Sequence, residues 1–209
     1  RRASFIHMTI GGGLSSYVGY SVISFLPSFL VRSFGMPADR IGLYLGLIIG
    51  VVGGAGFFLG GYIADHLGRT AHRRALRFVG LAVLLSALPY AAMFLSDSWQ
   101  SALLFFLLPM LMANVYLAPV LSQAQSLVSL RMRAMASAIA LLIINVIGLA
   151  LGPLLTGLLS DLLEPRFGEE SMRYSLLLVT SIVLPWAALH YGLAGRTIDA
   201  DLSKASAHD

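Results

Sequence analysis

The 209 residues are 57% apolar and only 11% charged, with a mean hydropathy of +0.82. A soluble domain carries about 25% charged residues, so a water-soluble globular protein is excluded and an integral membrane protein expected. The formal charge of +4 reflects loop topology rather than an acidic or nucleic-acid partner, and the lack of cysteine excludes disulfides and thiolate metal sites.

A membrane-crossing helix needs about 20 mostly apolar residues. Six stretches qualify: residues 5–31, 41–64, 78–95, 102–130, 134–160 and 174–194. The fold class is therefore an all-α membrane protein of six transmembrane helices. Residues 1–195 form the bundle, and residues 196–209 read as a polar tail. No secretory signal pattern is visible, and Arg1-Arg2 leads straight into the first span without an initiating methionine. We expect one half of a longer chain.

The first span carries Tyr17, Tyr20, Ser21, Ser24 and Ser28. At helical spacing these share about one third of the circumference. Serines in membrane helices often bond their own backbone, but polar groups there also face protein or water. A stripe of five reads as cavity lining. The second span carries Gly42, Gly46, Gly50, Gly53 and Gly60 on one face, a ladder that lets a neighbouring backbone come close.

Between the second and third spans runs a basic hinge, Gly61-Tyr62-Ile63-Ala64-Asp65-His66-Leu67-Gly68-Arg69-Thr70, followed by Arg73, Arg74 and Arg77. Asp65 stands at a helix C-terminus, where the macrodipole disfavours an anion. It should seek a cation, and Gly68 permits the reversal that returns Arg69 to it. Gly61, Asp65, Gly68 and Arg69 are thus candidate gating residues.

The fourth span holds Pro109, Asn114, Tyr116, Pro119, Gln123 and Gln125. Asn114 and Gln125 share a face, with Tyr116 and Gln123 nearly opposite. One face lines a cavity and the other bonds a neighbour. The fifth span opens on small residues (Ala134 to Ala140) and continues through Asn145, Gly148, Gly152, Pro153 and Gly157. Glycine and proline together bend a helix. The third and sixth spans are the most uniformly apolar and read as lipid-facing.

Counting basic residues orients the chain. One side holds Arg1, Arg2, Arg69, Arg73, Arg74, Arg77, Arg131, Arg133, Arg196 and Lys204; the other holds Arg32, Arg40, Arg166 and Arg173. The positive-inside rule puts both termini in the cytoplasm. The order polar, glycine-rich, apolar occurs twice, a three-plus-three arrangement whose repeats are inverted in the membrane.

The hinge resembles the signature loop of the major facilitator superfamily, roughly G-x-x-x-D-R-x-G-R-R. Gly61, Asp65, Gly68 and Arg69 match, while His66 replaces an arginine and Thr70 the last basic residue. Such wear is typical of the second copy of the loop, so the resemblance implies the C-terminal half of a transporter. Its first helices would line the cavity and its second helices would gate.

The strings Phe25-Leu26-Pro27-Ser28-Phe29-Leu30-Val31-Arg32, Leu130-Arg131-Met132-Arg133-Ala134-Met135-Ala136-Ser137-Ala138 and Asn145-Val146-Ile147-Gly148-Leu149-Ala150-Leu151-Gly152-Pro153 look like Spinster-type transporters of the bacterial inner membrane. That resemblance implies alternating-access export of a lysophospholipid or sphingosine phosphate, proton-coupled in some members. The implied partners are an N-terminal six-helix half, the bilayer and an amphipathic substrate, with no nucleic acid and no cofactor.

All ten acidic residues fall in loops or at helix ends, and no Lys or Arg lies mid-span. A buried ionisable group usually marks ion coupling, so a coupling acid belongs in the other half. His190 is the deep histidine, and a lone histidine in a span is more often a hydrogen-bonded structural residue. The candidate substrate cavity is Tyr17, Tyr20, Ser21, Ser24, Asn114 and Gln125. Export of drugs or other small molecules is the alternative. An intramembrane serine protease is remote: Gly13-Leu14-Ser15-Ser16 lacks the second glycine of G-x-S-G, and His190 is far away in sequence. We expect no enzyme, and no metal-ligand spacing is present.

Overall fold

The computed structural model describes residues 2–67 and 72–206, without the side chains at 64, 65, 67 and 206. Nine α-helices lie among them. They are α1 (Ala3–Phe34), α2 (Ala38–Leu47), α3 (Gly54–Leu67), α4 (His72–Phe94), α5 (Trp99–Met112), α6 (Leu117–Ser126), α7 (Arg133–Asn145), α8 (Gly152–Phe167) and α9 (Ser171–Ser206).

These make six spans. α2 and α3 form one crossing, joined through a π-helical turn at Ile48–Gly53, and α7 and α8 form another through Val146–Leu151. α5 and α6 form a third, broken at residues 113–116. Pro119 causes this break, because it has no N–H to return to the Val115 carbonyl. The apolar stretch Leu130–Ala205 is too long for one crossing. It reverses at Gly168, whose φ of 55° suits glycine, and α8 and α9 then pack side by side.

α1 ends at Gly35, in the left-handed region at φ 61°, where its N–H returns to the Val31 carbonyl at 2.8 Å. Pro37 precedes α2 and Asp39 occupies its first turn, favourable chemistry for a helix start.

α1 is the central helix, flanked by α9, α7 and α8. Each glycine-rich crossing packs on the leading helix of the other triplet: α3 on α5 and α6, and the α7–α8 crossing on α1. The approach is backbone to backbone. A Cβ on Gly152 would stand 2.8 Å from the Tyr17 carbonyl, and one on Gly60 would stand 3.1 Å from Val115 Cα. The ladder expected on the second span is split. Gly53, Gly56 and Gly60 make close contacts, whereas Gly42, Gly46 and Gly50 face open space, with nothing within 4 Å of a Cβ.

Lipid tails are as apolar as leucine, so packing and interhelical hydrogen bonds hold such a bundle, at about 0.6 kcal/mol per bond. Phe29 packs edge-on against Phe94 at 5.3 Å. Thr156 on α8 donates to Ser21 on α1 (2.8 Å), and Ser175 on α9 donates to the Thr156 carbonyl (2.7 Å), tying three helices together.

The helix of the sixth span does not end near residue 194 but continues beyond the span. α9 continues to Ser206, burying Ile198 and Asp201 against the start of α1. Asp201 Oδ2 accepts from the Ser4 amide (2.9 Å) and hydroxyl (2.6 Å). Residues 196–206 are therefore part of the bundle's helical frame rather than a separate unit.

Candidate substrate cavity

A cavity of about 490 Å³ lies among α1, the α2–α3 crossing, the α5–α6 break and α7. Tyr20 reaches it from α1 and Asn114 from the break, while Asn145 ends α7 at its wall. The apolar wall includes Ile23, Phe57, Met110 and Leu141. Each glycine-rich crossing meets the cavity where its helix loosens: Ile49, Gly50 and Gly53 lie in one π turn, and Asn145 immediately precedes the other. Such turns inside α-helices are frequent at functional sites.

Among the described residues the cavity wall holds no carboxylate, amine, guanidinium or imidazole. Its polar groups are the hydroxyls of Ser15, Ser16, Tyr20 and Tyr116 and the amides of Asn114 and Asn145. Ser15 is engaged by Tyr191 at 3.3 Å, and Asn145 donates to the Leu141 carbonyl at 2.8 Å. The Asn114 amide makes no side-chain hydrogen bond among the described residues, which leaves its donors and acceptor for a ligand.

Tyr20 and Asn114 come together here; the other four cavity candidates do not. The Tyr17 backbone lies against Gly152 and the Ser21 hydroxyl accepts from Thr156, because the stripe on α1 is wider than the sector facing the cavity. Ser24 is exposed and lies beyond the lining. Gln125 donates to Ser137 across the α6–α7 turn (2.9 Å). The shared face of Asn114 and Gln125 assumed one continuous helix, and the break before α6 removes that continuity. Asn145 was missed as a cavity residue. Its signal was a lone amide within a long apolar run.

Of the gating residues, Gly68, Arg69 and the side chain of Asp65 lie outside what the structure describes, while the backbone of Asp65 lies in the last turn of α3. Gly61 sits on an outer face beside Phe57, Phe58 and Tyr62, with nothing within 4 Å of a Cβ. His66, in the place of an arginine, instead stacks on Tyr62 at 4.0 Å and donates from Nδ1 to the Tyr62 carbonyl at 3.2 Å.

His190 is paired with His7, Nδ1 to Nδ1 at 3.1 Å, away from the cavity. One ring must donate and the other accept. Among the described residues Ser15 bonds Tyr191, and His190 bonds His7.

No family model matches the sequence. The chain is 32% identical, over 203 residues, to an MFS-type efflux pump of Mycolicibacterium smegmatis, covering 97% of this chain and 47% of that protein. Two crystal structures of a bacterial homologue of the human lysosomal transporter Spinster also match. The inward-facing, occupied form superposes with a TM-score of 0.81 at 26% identity, across 96% of this chain and 50% of the homologue. The inward-facing, unoccupied form gives 0.83 at 25%, across 96% and 49%.

The chain matches half of a major facilitator fold. It spans about half the length of the relatives it matches. Here the first helix of each triplet borders the cavity, as α1 and the α5–α6 crossing do, and the third helices, α4 and α9, stand outside it.

Proposed function

We propose that this chain is the C-terminal half of a secondary active transporter that exports an amphipathic, lipid-like molecule by alternating access. The substrate class is a lysophospholipid or sphingosine phosphate. The N-terminal six-helix half completes the cavity and supplies any proton-coupling acid. The membrane is the bacterial inner membrane, with both termini cytoplasmic. The observation that supports this reading most is the two-sided cavity: Tyr20, Asn114 and Asn145 offer hydrogen bonds, and Ile23, Phe57 and Leu141 offer apolar surface.

Uncharged walls suit a ligand whose charge, if any, is held by the opposite half. They also suit drugs or other small molecules, charged ones included when the opposite half holds the charge, and the relative named an efflux pump favours that second reading. Proteoliposomes of the full-length transporter distinguish the two. We expect uptake of fluorescent lysophosphatidylcholine driven by an imposed proton gradient, with little movement of ethidium. Asn114→Ala removes the uncommitted amide and should lower lysolipid transport about fivefold to tenfold, the worth of one or two hydrogen bonds. Ethidium transport without lysolipid transport selects the drug reading; transport of neither sinks both.

A further inference from the structure

On the side of the bundle away from the cavity, α4 and α9 lie against each other. Neither contributes to the cavity wall. Where they cross, Gly80 and Gly192 leave a surface groove of about 370 Å³. Leu81, Leu84, Pro185 and Leu189 wall it, and Arg77 closes one end. Around it the surface stays apolar, with Leu85, Leu88 and Ile182 all more than half exposed. A face of this kind on two spanning helices meets acyl chains.

The closed end is strongly basic. Gly195 lies 3.7 Å from Arg77 Cγ, measured from its would-be Cβ, so the later part of α9 is level with Arg77. Arg73, Arg74, Arg77 and Arg196 are exposed there, and none forms an ion pair among the described residues. Among the described residues, the acids of α9 beyond Arg196 are Asp199, which is exposed, and Asp201, which is committed to Ser4. The guanidinium of Arg77 thus terminates an apolar channel at the level where positive charge collects.

We infer that this groove binds one anionic phospholipid, with an acyl chain along Gly80 and Gly192 and the phosphate on Arg77. Basic pockets between spanning helices bind anionic head groups, at about a fivefold gain in affinity per nearby Arg or Lys. Gly80 lets the two helices approach, since a Cβ there would stand 3.1 Å from Tyr191 Cβ, and Gly192 keeps the groove open, with nothing within 4 Å of a Cβ. The site is separate from the cavity and stands whether the transported molecule is a lipid or a drug.

The test uses the full-length transporter in nanodiscs of equal parts dioleoylphosphatidylglycerol and dioleoylphosphatidylcholine. After extraction into mild detergent, retained lipid is counted by native mass spectrometry. The wild type should retain phosphatidylglycerol in preference to phosphatidylcholine. Arg77→Gln, at an exposed position, should lower that preference about fivefold. Gly192→Leu, whose Cβ meets nothing within 4 Å, should fill the groove and remove the retained lipid of either kind. Equal retention of the two lipids by the wild type overturns the inference. So does an unchanged preference in Arg77→Gln, or undiminished retention in a folded Gly192→Leu. Disulfide-linked dimers of Leu189→Cys would place a second copy over the groove and overturn it equally. If Gly192→Leu does not fold, Arg77→Gln decides alone.

Discussion

Asp201 shows how one carboxylate fixes a helix end at a distance of 197 residues. It caps the first turn of α1, taking both the amide and the hydroxyl of Ser4. Burial opposes its charge, but the two Ser4 hydrogen bonds, with Lys204 and Arg2 nearby, hold the carboxyl below its ordinary value of 3.8. A carboxyl lowered in the fold adds stability above that ordinary value and loses it as pH falls through the lowered one. Between pH 5 and pH 8 the melting temperature should therefore be insensitive to this group, and the contribution should vanish only in strong acid. Asp201→Ala should cost about 1 kcal/mol, the usual worth of a helix cap, measured as a lower Tm at pH 7. The difference from wild type should shrink below pH 3. An equal difference at pH 7 and pH 2.5 would contradict the role given to the charge.

At the scale of elements, the glycine-rich crossings carry the clearest consequence. Gly148 and Gly152 lie where α1 passes so closely that a Cβ would collide with Ser16 or the Tyr17 carbonyl. Rigid backbone cannot yield as a flexible side chain can, so overpacking there should cost about 1–3 kcal/mol or more. Gly152→Leu is expected to reduce the yield of monodisperse transporter on gel filtration. Gly46→Ala, by contrast, adds a methyl to open space and removes a helix-interior glycine. It should leave the fold intact and stabilise it by about 0.5–1 kcal/mol. If both variants behave alike, close packing is not what these glycines serve.

The elements were also where reading the residues worked unevenly. Six apolar runs of sufficient length placed six spans, because the bilayer sets a length that sequence alone reveals. Breaks and ends escaped. Nothing in Ile48–Gly53 marks a π turn, since its composition is that of an ordinary apolar helix. Asp199, Asp201 and Lys204 made the end of α9 look like a polar tail, yet Ser4 on another helix supplies the partner that makes helix favourable. Within the site, Tyr20 was legible and Ser21 was not separable from it. Neighbours one residue apart differ by about 100° around the axis, and only the packing of α8 decides which of them meets the cavity.

For the whole molecule, the alternating access we propose requires a gate that breaks in one state. Asp65 and Arg69 remain our candidates for it, on the strength of an acid placed at the C-terminal end of α3. Asp65→Asn should weaken closure at the basic end and raise labelling of engineered cysteines facing the cavity from that side. Unaltered labelling would remove the gate from the mechanism. The exposed Leu43, Leu47 and Val51 lie on the α2 crossing that borders the cavity. They are the surface we assign to the opposing six helices.

The clasp between Ser4 and Asp201 also makes the half nearly a closed ring. Its first and last helical turns are already neighbours, so a few residues suffice to join them. The order in which the two triplets are written in a gene is then a matter of convention rather than of architecture. A rearranged chain that begins at Leu130, runs through α9, passes by a short splice into α1 and finishes at Ser126 should reach the same bundle, with the same cavity at its side.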